Sequence, residues 1–83
     1  MRTIPELNAE IQDLREYHRN LAHADGGSGY RLDLARRLSL LATRIPAAEK
    51  AVQIAERTGT PHATAMARRA VIAAWRVTGT LVE

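Results

Sequence analysis

Cysteine is absent from this 83-residue chain, which excludes disulfides, thiolate metal sites and thiol nucleophiles together. Phenylalanine is absent too, and the aromatics are Tyr17, Tyr30 and Trp75, 4% of the residues. A core built under that restriction takes its volume from Leu and Ile and its close packing from Ala, of which there are fifteen. No apolar run approaches the roughly 20 residues that cross a bilayer. The N-terminus has no apolar leader core, so a cytoplasmic protein without membrane association is expected. Strand signals are missing as well: no stretch alternates apolar and β-branched positions with polar ones over five residues. Acidic residues are missing from one end. Between Arg57 and Val82 there are four Arg and neither Asp nor Glu.

What is present suits one helical domain spanning residues 1–83, with 46% hydrophobic residues and a net charge of +3. A chain of this size buries about 60–65% of its unfolded surface. Without staples that is marginal, so self-association is expected, most simply as a homodimer. Eleven Arg against one Lys is the bias of a high-GC genome, and size and composition together suit a phage or mobile-element protein. The charges are segregated. Glu6, Glu10, Asp13 and Glu16 crowd the front of the chain, where only Arg15 and Arg19 oppose them between residues 3 and 24.

Helix signals recur. Thr3-Ile4-Pro5-Glu6 is a capping box with Pro in the first turn. Behind it Ile4, Leu7, Ile11, Leu14, His18 and Leu21 step 3, 4, 3, 4, 3, an a/d seam with Ile at a and Leu at d. This predicts a helix from Ile4 to about Ala24. Its seam either packs on its own chain or forms the self-association surface; at a, His18 is a polar interruption. Asp25-Gly26-Gly27-Ser28-Gly29 reads as a hinge. A second helix starts at Tyr30 with Leu34, Leu38, Leu41 and Ile45 on one stripe, and Pro46 kinks or restarts it. Beyond Pro46 the apolar face is expected at Ala47, Ala51, Ile54 and Ala55, with Gly59 as the stop. Thr60-Pro61 reads as N-cap and first turn of a last helix. The expected fold is all-α: a small antiparallel helical bundle of three helices, or four if Pro46 breaks the middle one.

The last helix is apolar on two sides. Ala63, Ala67, Ala70, Ala74, Val77 and Leu81 form a tight stripe. Opposite lie Arg68, Arg69 and Arg76 with Ile72 between them and Trp75 at the edge. Trp and Arg dominate interface energetics, so Arg68, Arg69, Ile72, Trp75 and Arg76 are the candidate partner-binding residues. The stripe Glu6, Glu10, Asp13 and Tyr17 on the first helix offers this basic face an acidic counterpart, within one chain or between two.

Residues 54–69, IAERTGTPHATAMARR, resemble the helix-turn-helix of bacterial transcription regulators. Ala55 stands at the small position, Gly59 at the turn and Thr64 near the start of the second helix. Thr60 stands where that pattern has Val or Ile, and Arg68 where it has a buried aliphatic. The resemblance implies a dimeric DNA-binding regulator that reads DNA with Thr60, His62, Thr64, Arg68 and Arg69.

Catalysis has no motif. Two Ser and three His are not joined in any nucleophile–base arrangement. His18 and His23 are five residues apart, on different helix faces, whereas a helical zinc pair needs i,i+4. The glycine stretch is neither a dinucleotide nor a Walker loop. No catalytic residue, metal or cofactor is therefore expected. The sequence points to a non-catalytic protein-binding module, an adaptor, regulator or inhibitor, with DNA binding as the alternative.

Overall fold

The computed structural model describes residues 2–23 and 31–79, with side chains in the second span described from Leu34 onward. The expected hinge at 25–29, Tyr30 and Leu81 lie outside them. Three helices pack together: α1 (Ile4–Ala22), α2 (Arg31–Thr58) and α3 (Pro61–Val77), with no strand among the described residues. The chain is an all-α antiparallel bundle.

Local chemistry fixes the helix ends. At the start of α1 the Glu6 N–H donates to Thr3 Oγ1 and the Thr3 N–H donates to the Glu6 carboxylate, the reciprocal capping box. α1 ends at Ala22, two residues short of the expected limit, with His23 as its C-cap. α2 ends where Gly59 adopts a positive φ of 64°, a conformation that costs little only without a Cβ, and its N–H donates to the Ala55 carbonyl at 2.9 Å. One residue later Thr60 caps α3, its hydroxyl accepting from the Ala63 N–H, and Pro61 fills the first turn.

Pro46 does not break the middle helix: α2 runs unbroken for 28 residues, about 42 Å. Continuity carries the phase of the apolar stripe straight through the proline. Leu41, Ile45, Ala48, Val52 and Ala55 are buried, and half-buried Leu34 and Leu38 continue the same 3–4 spacing. The face expected from a restart at Pro46 is rotated by one position. Ala47 and Ile54 are exposed, Ala51 is half-buried, and Ala48 and Val52 take the core.

The core is completed by Leu7, Ile11 and Leu14 of α1 and by Ala67, Val71, Ala74 and Val77 of α3. Four of these twelve core residues are Ala, so the axes approach closely, and among the described residues no aromatic ring is fully buried. α1 packs antiparallel to α2: Asn8 Nδ2 donates to Glu56 at 2.6 Å and Arg15 pairs with Glu49 one heptad along. α2 and α3 are antiparallel as well. Arg44, 14 residues before the end of α2, donates from Nη1 to the Ala73 carbonyl, 12 residues into α3, at 3.1 Å. Helices still touching about 20 Å from their connection lie side by side. The helix-turn-helix resemblance implied a crossed pair at about 90–120°; residues 54–69 instead form the tip of an antiparallel hairpin.

Candidate protein-binding surface

The two edges of α1 face different neighbours. Asn8 and Arg15 reach α2 through Glu56 and Glu49. On the other edge Glu10 receives Arg2 Nε at 2.9 Å, and the Arg2 carbonyl in turn accepts from Arg68 Nε at 3.0 Å. The Glu10 edge therefore borders α3. One acid of the stripe, Glu10, is linked to the basic helix inside one chain, through Arg2.

This placement sorts the expected self-association seam. Leu7, Ile11 and Leu14 are buried in the single chain, and Ile4 and Leu21 pack against the core. The seam packs intramolecularly, and offering it to a second copy would mean opening the core. His18 is half-buried beside a cleft of about 300 Å³ between α1 and α2, lined also by Arg15, Leu41, Ile45, Pro46 and Glu49.

The five expected partner-binding residues divide. Arg68 is half-buried and held by Arg2. Trp75 packs on the core, with its indole Nε1 buried and without a hydrogen-bond partner. Ile72 is half-buried, while Arg69 and Arg76 are exposed. Trp75 is thus not an open anchor; its ring closes the rim of a core short of aromatic volume. Of the expected DNA-reading residues, Thr60 is occupied as the N-cap and the Thr64 hydroxyl donates to the Thr60 carbonyl at 3.0 Å. His62 and Arg69 are exposed.

The surface the sequence did not single out lies on the outer side of the α2–α3 hairpin. Ile54 and Met66 are its exposed large hydrophobics, at 37% and 47%. Ile54 stands four residues before the end of α2 and Met66 five residues after the start of α3, so both lie about 6–8 Å from the hairpin tip. Met66 is two turns before Ala73 on the side that Arg44 touches, and Ile54 is one turn beyond half-buried Ala51. Helix periodicity puts the two side chains on the same outer side of the hairpin, with the small residues Ala47 and Ala51 of α2 and Ala70 and Ala73 of α3 along the groove between the helices.

Around that groove every described charge is positive. Lys50 borders it on α2, Arg69 and Arg76 on α3, all exposed; Arg57 lies farther round α2, in a hollow it shares with Gln53 and Glu56. The two acids of α2 beyond Leu34, Glu49 and Glu56, are turned to α1, and α3 has none. The signal that finds this surface is the phase of α2. Once the helix is read through Pro46, Ile54 becomes surplus to the core.

Among the described residues no three His, Asp or Glu side chains gather to hold a metal ion, and no helix is long and apolar enough to cross a membrane. No known protein family, curated protein or solved structure matches the chain.

Proposed function

We propose that the protein is a non-catalytic protein-binding module whose contact surface is the outer groove of the α2–α3 hairpin, and that its partner is an acidic amphipathic helix. The observation that carries this reading is the exposure of Ile54 and Met66, both near the hairpin tip, with Lys50, Arg69 and Arg76 exposed around them. An apolar stripe on the incoming helix covers the two hydrophobic side chains, and its carboxylates meet Lys50 and Arg69. This is the helix-in-groove mode of recognition. The alanine floor lets the incoming backbone come close, so the partner completes a four-helix arrangement.

Duplex DNA is the competing ligand, because guanidinium groups serve phosphates equally well. Ile54 and Met66 decide between them: a phosphate backbone gives an exposed Ile or Met nothing to pack on. The test is fluorescence anisotropy with two probes, a labelled helical peptide with a Leu spine flanked by Glu and a labelled duplex. The peptide is expected to bind with a micromolar dissociation constant, and Ile54→Asp or Met66→Asp should weaken it at least tenfold, about 1.4 kcal/mol. Tighter binding of the duplex, unaffected by Ile54→Asp, would transfer the face to nucleic acid. Absence of peptide binding by the wild-type chain would remove the reading.

A further inference from the structure

A second face, formed by the neighbouring edges of α1 and α3, carries opposite charges on its two halves. On α1, Glu6 and Asp13 stand four residues before and three after Glu10 and so share its edge; both are exposed. The bonds from Arg2 to Glu10 and from Arg68 to the Arg2 carbonyl set this edge beside α3. On α3, Ile72 is one turn beyond Arg68, and exposed Arg69 and Arg76 flank it at positions −3 and +4. Asp13, Arg69 and Arg76 join no ion pair inside the chain among the described residues. The acidic pair and the basic pair have the same separation of seven residues, about 10.5 Å along a helix.

We infer that this face binds a second copy of the chain in a two-fold dimer. A closed two-fold contact uses the same patch on both molecules, so the patch must complement itself. α1 and α3 run in the same direction within one chain, so a face with one acidic and one basic edge complements itself when the two-fold axis runs along the helices and the copies meet with helices parallel. The Arg68 bond to the Arg2 carbonyl sets Arg69 beside the first turn of α1, so Glu6 then lies over the partner's Arg69, Asp13 over the partner's Arg76, and each contact occurs twice. Equal spacing along both helices allows both pairs to form in one register. Ile72, between Arg69 and Arg76, sits near the axis and supplies the apolar centre. Setting the helices antiparallel instead puts acid on acid and base on base.

The face is small, since α3 is 17 residues long, about 25 Å. Exposed ion pairs contribute little individually, so the dimer is expected to dissociate in the micromolar range and to weaken with salt. This inference does not rest on the hairpin groove. Ile54 and Met66 lie on the far side of the ridge that carries Arg69 and Arg76, and the two readings fail separately.

The test is sedimentation equilibrium of the full chain at about 50 and about 500 mM salt, between which the screening length falls severalfold. A dimer is expected at low salt, at least tenfold weaker at high salt. Asp13→Arg alone and Arg76→Glu alone should each weaken it at least tenfold. An equimolar mixture of these two variants should restore the dimer, because both contacts between the copies then join opposite charges. Glu6 is left intact to preserve the capping box, and circular dichroism checks that each variant remains helical. Ile54→Asp should leave the dimer unchanged. A wild-type chain that stays monomeric at about 100 μM and low salt, a mass larger than a dimer, or a mixture that fails to restore association would each overturn the inference.

Discussion

Trp75 shows at the scale of one residue how packing and partner binding separate. Its ring rests on the core, and its Nε1 is buried without an acceptor; Glu10 Oε2, on the α1 edge that borders α3, is buried without a donor. A buried donor left unpaired contributes nothing to stability and carries a desolvation cost. The ring's worth is therefore its volume. Trp75→Ala is expected to destabilise by about 2–3 kcal/mol, whereas Trp75→Phe, which removes the orphaned N–H and keeps an aromatic ring, should cost less than about 1 kcal/mol. Urea unfolding of both variants checks this, and an equal loss in the two would show that the indole N–H has a partner. Leu14 illustrates the other case. It is fully buried in one chain, so Leu14→Asp places an unpaired carboxylate in the core and should abolish cooperative unfolding, a loss above about 3 kcal/mol, seen as lost helical dichroism.

The helices were legible in the sequence where a chemical device marks their ends. Thr3 with Glu6, and Gly59 followed by Thr60 and Pro61, placed three of the boundaries within a residue because each satisfies backbone groups that a helix end leaves open. The seam of α1 was legible as a stripe, but not whether it meets its own chain or another; that depends on α2 and α3 arriving on it. α2 was misread at Pro46. A proline removes one N–H, here the donor to the Ala42 carbonyl, and costs about 3 kcal/mol in a helix interior. Burial of Leu41, Ile45, Ala48 and Val52 on the opposite side of the helix outweighs that cost and holds α2 straight enough to keep its phase. The rotated stripe then hid Ile54 as a core residue. On α3, Val71 was missed because the alanines define a stripe without it, yet it is among the largest fully buried side chains. Two element-scale outcomes follow. Pro46→Ala restores the missing donor and should raise stability by about 1–2 kcal/mol, visible as a higher midpoint of thermal unfolding. Gly59→Ala forces a Cβ into a left-handed conformation with no clash around it, and should lower stability by about 1 kcal/mol, read by the same measurement.

Across the whole molecule, charge and apolar surface are arranged so that each exposed face asks for a different complement. The composition already showed an acidic front and a basic rear. What it lacked was the geometry that turns Glu49 and Glu56 toward α1 and leaves Lys50, Arg69 and Arg76 exposed around Ile54 and Met66. That arrangement has a thermodynamic consequence for the free protein. Ile54 and Met66 contribute little to the bundle's own stability, because both are exposed when unbound, so substitutions at these two positions can separate binding from folding. A ligand that binds only the folded chain stabilises it by about 2.7 kcal/mol at a hundredfold excess over its dissociation constant, which for a domain of this size is a rise in melting midpoint of about 10–20 °C. The acidic helical peptide is therefore expected to raise the midpoint of the wild-type chain in proportion to the logarithm of its concentration. Ile54→Asp should leave the midpoint without peptide within about 2 °C of wild type and eliminate the rise. A variant that melts early without peptide, or one that is still stabilised by it, would place Ile54 in the core or outside the contact, and differential scanning calorimetry distinguishes the two outcomes.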